Sequence, residues 1–471
     1  MQHTVYLISD IHLGPGRDAG TGQWNALEDF QNDEALCAFL DHIGASPTPV
    51  ELVIAGDFID YPQILPDLAH TSPSNDLGTT QAESVERTLV VLGLRPEIAS
   101  GHPQVFTHLR RFMENGHSIT IIVGNHDIDL LWSEVWRLIF DAIYPPGAPG
   151  QLRREAFSYT IGSADFGRVY IEHGHEHDIQ NSFGDQMREP FGADRQGVQR
   201  LKRCFGTLFV DRVYNQLERE RWFIDNVKPI SRVVKLGLAN DFRFTASALA
   251  LIARFLLTSG ASLHVITGGV LSAEERNAET VVETLEDEAL RQELERRLMD
   301  PEFRAAFEQA VQMQFEVQDW QAVSQGGGDQ PTLDSITQEV TAEPPMLDPD
   351  GAVLGGGVLG GEAEDAFRAA ARAVLEADPR IEIVVMGHTH QPIDGLIKPI
   401  YLSGQRTGYY YNSGTWTWHL RDRPEPYSWQ DLADPANYTS SFTYLRFDPD
   451  ADGAYQCMLR NWSADWDGPN R

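Results

Sequence analysis

Apolar, β-branched runs recur along the chain, and a short polar motif follows each. Val5 to Ser9, Leu52 to Ala55, Ser118 to Val123, Val169 to Glu172 and Ile381 to Met386 are such runs. Their brevity and continuous apolar character predict buried strands. Ala26 to Ile43 and Val105 to Glu114 carry apolar residues at helical spacing and predict helices; in the second, Leu109, Phe112 and Met113 share a face. Pro399 to Tyr411, Ser441 to Phe447 and Tyr455 to Asn461 read as strands closing a second sheet. Strands alternating with helices give an α/β sandwich. Loops at the carboxyl ends of its parallel strands converge on one edge, where ligands bind.

From about Asn181 to Gly361 this rhythm changes. Asp194 to Asn226 reads as helix, Phe244 to Leu257 as a buried apolar helix with one charge, Arg254, and Ala273 to Ala322 as charged helices with a restart at Pro301. Glycine runs at 326–328 and 355–361 predict flexible linkers. The expected organisation is a core in two parts, residues 1–180 and 362–471, around a mostly helical insertion, 181–361. The insertion would serve as a cap or partner surface and could touch a membrane peripherally. The polar loop from Pro62 to Thr80 is a second candidate lid.

The 471 residues carry a formal charge of −32, which argues against nucleic acid as a partner, since duplex binding relies on basic side chains. A small phosphorylated substrate stays open, because metals can supply local positive charge. Three separated cysteines, without a secretory leader or a membrane-length apolar run, predict a cytoplasmic location.

The motifs that follow the strands are Asp10-Ile11-His12, Gly56-Asp57-Phe58-Ile59-Asp60, Gly124-Asn125-His126-Asp127, His173-Gly174-His175 and Gly387-His388-Thr389-His390. With His177, they hold seven of the 15 histidines. Imidazole and carboxylate without cysteine suit manganese, iron or zinc in a mixed nitrogen and oxygen site. Asp10 and His12 stand two apart at a strand end and can reach one metal. His388 and His390 could each serve one of two metals. Asp57 is a natural bridge, and Asn125 offers a neutral oxygen. Two divalent ions outweigh two carboxylates, so the centre would stay positive and attract a phosphate oxyanion.

These motifs resemble those of the calcineurin-like metallophosphoesterase superfamily over roughly residues 3–180 and 376–420. The resemblance implies a four-layer αββα sandwich and two divalent ions, manganese first, with iron or zinc as alternatives. It implies that Asp10, His12, Asp57 and His390 hold one ion and that Asp57, Asn125, His173 and His388 hold the other. It further implies that His126 is no ligand but contacts the phosphate or protonates the leaving oxygen, with Asp127 orienting its ring. Asn412 to Thr415 looks like the sheet-closing segment of many relatives. The related UDP-diacylglucosamine pyrophosphohydrolases usually have arginine at the position of His126, so the general phosphoesterase pattern fits better. Asp60 and His175 are expected behind the ligands or beside substrate. Arg17 and Arg406 are candidate phosphate contacts, and His177 is expected to be structural.

The function these residues imply is hydrolysis of a phosphomonoester, phosphodiester or pyrophosphate, small or lipid-linked, by in-line attack of a metal-bridging hydroxide. The alternatives are a metal-dependent nuclease and a binding scaffold without catalysis.

Overall fold

Parallel pairing turns the early alternation of strand and helix into a sheet. In the computed structural model, β1 (Val5–Ile8), β2 (Glu51–Ala55), β3 (Ser118–Ile122) and β4 (Leu152–Glu155) lie side by side, all parallel. The strands Thr443–Pro449 and Tyr455–Asn461 extend this sheet antiparallel beyond β1. The helices α1 (Asp33–Gly44), α2 (Gln81–Val91), α3 (Pro103–Glu114) and α4 (Ser133–Ile143) accompany it. The second sheet takes β5 (Ser158–Ile161) and β6 (Arg168–Glu172) from before a short hairpin, β7 (Phe191–Ala193) and β8 (Gln199–Leu201). It is completed by β9 (Ile381–Met386), β10 (Ile400–Tyr401) and β11 (Thr407–Asn412), in the order β10-β11-β9-β6-β5. The structure describes residues 3–66, 77–162, 167–178, 180–224, 230–259, 296–297, 300–305, 366–421, 423 and 426–462.

The early strand runs are apolar throughout because both faces of their sheet are covered. Val53 and Ala55 of β2 join Val5, Leu7 and Ile122 against Val169, Ile171, Ile383, Val385 and Tyr411, a core between the two sheets. Leu52 and Ile54 point the other way, into a core with Leu36 and Phe39 of α1 and Leu109 and Phe112 of α3. On the far side, Val384, Met386 and Tyr410 pack on Ala371 and Leu375 of the helix Ala366–Ala377. The layers are helix, sheet, sheet, helix, as the motifs implied.

Three elements differ from expectation. The helix expected from Ala26 starts only at Asp33, because the preceding segment is folded around the buried Glu28 carboxylate, which accepts the N–H of Phe30 (3.0 Å). The stretch after Asp194 opens as a hairpin: Asp194 Oδ1 accepts the N–H groups of Gln196 and Val198 (both 2.9 Å), and Gly197 takes φ +79°. These are turn residues at a turn, a signal stronger than the helical spacing of Leu201 and Phe205. The last two strands join the first sheet, through Val5↔Phe447, instead of closing the second.

The chain divides into two compact units. One holds residues 1–211, 366–419 and 439–471 and contains the layers above. The other holds 212–365 and 420–438. In it, the helix Phe242–Ser259 buries Phe244, Ala246, Leu249 and Ile252, in line with its apolar sequence. Asp300 accepts the N–H of Glu302 (2.9 Å) at the start of the turn of helix after Pro301. Most of the charged stretch 273–322, both glycine runs and most of the loop 62–80 lie outside the described residues. Among the described residues, no helix is long and apolar enough to cross a membrane. Cys37, Cys204 and Cys457 are free and buried.

Candidate metal centre

Each motif occupies the loop at the carboxyl end of its strand, and backbone pairing continues past the strands to fix those loops together. Asp10 N–H donates to Gly56 O (3.1 Å), and Gly387 N–H donates to His173 O (2.8 Å). The two sheets are joined where His388 N–H donates to the Asp10 carboxylate (3.0 Å). Glycine stands where a side chain of the centre approaches backbone. A Cβ on Gly56 would collide with the His173 ring, one on Gly124 with Asp57, and one on Gly387 with Asp10. Asp10, His12, Asp57, His388 and His390 all have positive φ, between 49° and 66°. That left-handed region is unfavourable for residues with a Cβ, and its recurrence marks a site where geometry is imposed by the surroundings.

Three groups of side chains bring their donor atoms within 4.8 Å of one another: Asp10, His12 and His390; His12, Asp57 and His126; Asp57, His173 and His388. Asn125 Oδ1 lies 3.2 Å from His173 Nε2. All seven residues expected as ligands thus come together, with Asp57 common to two groups. The donor chemistry fits divalent ions. Asp10, Asp57 and Asp60 are essentially fully buried, and among the described residues their ion pairs are with imidazoles, not lysine or arginine. His12 Nε2 and His390 Nε2 face one another at 3.2 Å, two donor atoms directed at one point.

Electrostatics follow from this crowding. Burial pushes the Asp57 carboxyl up, but the imidazoles of His173 and His126 override it and hold it well below the usual carboxylate range. Burial likewise opposes charge on His173, yet Asp57 beside it (3.0 Å) lifts the ring to about 10. Its Nδ1–H donates to Ala55 O (2.9 Å), so Nε2 is the atom turned toward Asn125 and Asp57.

The partner of His126 is a correction. Asp127 accepts the backbone N–H groups of Phe58 (2.8 Å) and Gly124 (2.6 Å), so it shapes the loops of the second and third motifs instead of orienting the ring. Burial and the neighbouring Asp57 raise its carboxyl to about 7. Asp60 holds His126 instead: Oδ2 accepts from His126 Nδ1 (3.0 Å) and from His12 Nδ1 (2.7 Å). Against burial, Asp60 and Asp57 lift His126 to about 9.

His175 is buried 5.3 Å from the His173 ring and 5.7 Å from Phe183, with neither ring nitrogen in a hydrogen bond. Burial holds it below the ordinary imidazole value. His177 donates to Glu172 (2.7 Å). Arg17 lies over Trp24, 4.0 Å from the ring centre. Arg406 is a second correction: it donates to Leu375 O (3.1 Å) and Ile381 O (3.2 Å). That places it at the amino end of β9, roughly 20 Å of strand from the motif at the carboxyl end.

Other groups at the centre carry no motif. Asn412 Nδ2 donates to Gly387 O (2.7 Å) and Thr389 Oγ1 (3.0 Å), and Thr415 Oγ1 donates to Asp10 O (2.8 Å). The segment after β11 therefore clamps the first and last motifs. Glu28 accepts the N–H groups of Gly14 (3.3 Å) and Phe30 (3.0 Å) and pairs with His102 Nε2 (3.1 Å), while His102 Nδ1 donates to Asp33 (2.7 Å). Glu28 and His102 lie in no motif and far apart along the chain, so sequence gives no local signal of this clamp. Burial opposes charge on His102, but Glu28 and Asp33 lift it from 6.5 to about 10. A raised folded-state value means that the stabilisation is complete below about pH 6.5 and lost as pH rises toward 10. The Glu28 carboxyl, raised by burial, shifts stability in the same direction at acid pH. Melting temperature should thus fall between pH 6.5 and 10 by more in the wild type than in His102→Gln, a difference of a few degrees for about 1–2 kcal/mol. Parallel curves would refute the clamp.

Among curated proteins, none matches the chain. Residues 3–203 match the family of calcineurin-like phosphoesterases, a span that ends before the last histidine pair. That match leads to one conclusion: residues 3–203 form a calcineurin-like phosphoesterase domain, a hydrolase acting on phosphoester bonds, and its assembled donor groups could hold metal.

Proposed function

We propose that the enzyme holds two divalent ions and hydrolyses a phosphomonoester, phosphodiester or pyrophosphate of a small or lipid-linked substrate. The observation that supports this most is the place of Asp57: it shares one donor group with His12, which also belongs with Asp10 and His390, and another with His173 and His388. Asp10, His12, Asp57 and His390 would hold one ion; Asp57, Asn125, His173 and His388 would hold the other. Manganese is the first choice, with iron or zinc as alternatives, and ions bound there supply Lewis acidity, positive charge for the phosphate and a more acidic water.

The chain's own residues do the rest. Asp57 serves both halves as an anion, and Asn125 adds an oxygen without adding negative charge. Asp60 fixes the rings of His12 and His126 with one oxygen. The His126 side chain remains 17% exposed, so it borders the space a substrate would enter. Held as an imidazolium by Asp60 and Asp57, it can give a proton to the departing oxygen. The net charge of −32 continues to disfavour a nuclease.

A panel of phosphomonoesters, phosphodiesters and nucleotide pyrophosphates, assayed with manganese, iron and zinc, tests this reading. Turnover of at least one class that chelation removes is expected. No turnover of any class by metal-loaded protein would leave the scaffold reading in its place.

A further inference from the structure

We propose that Asp178 and Asn181 are positioning residues that set His388 and Asn125 as ligands of the second ion. The inference rests on the two-ion reading above. A continuous path of hydrogen bonds links these groups. His388 Nε2–H donates to Asp178 Oδ2 (3.0 Å), Asn181 Nδ2 donates to the same oxygen (2.6 Å), and Asn125 Nδ2 donates to Asn181 Oδ1 (3.3 Å). Asn125 Oδ1 is left on the side of His173 Nε2, at 3.2 Å.

The path decides two choices that the ligands cannot make alone. An amide can turn either its oxygen or its NH2 toward a cation, and only the oxygen can ligate. Asp178 accepts only, so Asn181 must present its NH2 there and its oxygen to Asn125. Asn125 is thereby obliged to spend its NH2 on Asn181. An imidazole likewise has two nitrogens, and donation of Nε2–H to a carboxylate leaves the lone pair on Nδ1. Asp178 acts from behind: among the described residues it belongs to none of the groups whose donor atoms share a 4.8 Å sphere. It does for His388 what Asp60 does for His12, so each half of the centre has its own orienting carboxylate.

The bracket is itself held. Asp178 Oδ1 accepts the N–H of Gln180 (3.0 Å), Gly206 N–H donates to Gln180 O (2.8 Å), and Thr207 Oγ1 donates to Asn125 O (3.3 Å). A Cβ on Gly206 would collide with the Asn181 amide, so this contact needs glycine.

Calorimetric titration of the metal-free full chain with Mn²⁺ tests the proposal, with circular dichroism as the check on folding. The wild type should bind two ions. Asp178→Ala should weaken one site about 10–100-fold and leave the other unchanged. Asp178→Asn, which keeps an acceptor oxygen, should restore part of the loss, and Asn181→Ala should weaken the same site. Unchanged affinities in Asp178→Ala and Asn181→Ala would overturn the proposal, as would equal weakening of both sites. Should Asp178→Ala fail to fold, Asn181→Ala and Gly206→Ala decide in the same way. A wild type that binds fewer than two ions would instead overturn the two-ion reading itself, and this inference with it.

Discussion

Asp57→Asn should lower metal-dependent hydrolysis by about 10³-fold or more. Asparagine matches aspartate in shape and can still accept the backbone N–H of His126, which Asp57 Oδ1 takes at 2.9 Å. The loops should therefore keep their places, and the charge alone is lost. That charge belongs to two of the three donor groups, and the imidazoles around it hold it firmly ionised. Bound metal, measured by atomic emission after dialysis, should fall together with turnover. Full turnover by Asp57→Asn at saturating metal would show that no ion depends on this carboxylate.

The second large effect belongs to His126. Its replacement by glutamine should lower kcat about 10²–10⁴-fold on esters with alkyl leaving groups and far less on a nitrophenyl ester. The reason lies in the departing oxygen: an alkoxide needs a proton as the bond breaks, whereas a nitrophenolate leaves without one. Bound metal should stay at the wild-type level, which separates this variant from Asp57→Asn. Equal losses on both ester types would remove proton donation and leave His126 a phosphate-binding role.

The strands and the motif residues were legible because two signals coincide. Burial on both faces makes a strand apolar throughout, and the residue that ends it must then carry the chemistry. Val53 and Asp57 illustrate the two sides of that rule within one short segment. Residues that work through a partner were not legible in this way. Asp127 stands next to His126 in sequence, yet its carboxylate is drawn to backbone N–H groups across the loop, while Asp60 reaches the ring from another strand end. Glu28 and His102 meet over a separation of 74 residues, and Asp178 meets His388 over 210. Arg406 sits near a motif loop in sequence, but it leads into β11, which runs parallel to β9 and so starts at the opposite end of the sheet. Spacing along a chain reports neighbours on one element; it does not report which loops a sheet brings face to face.

The left-handed backbone at Asp10, His12, Asp57, His388 and His390 has a consequence for the life of the molecule. Each such conformation costs on the order of 1 kcal/mol. Five of them approach the low end of the whole stability of a folded domain, roughly 5–15 kcal/mol. An ion that binds only the folded chain returns stability in proportion to its concentration over its dissociation constant. Under the two-ion reading, bound metal would offset this cost, and the metal-loaded chain should melt higher than the metal-free chain.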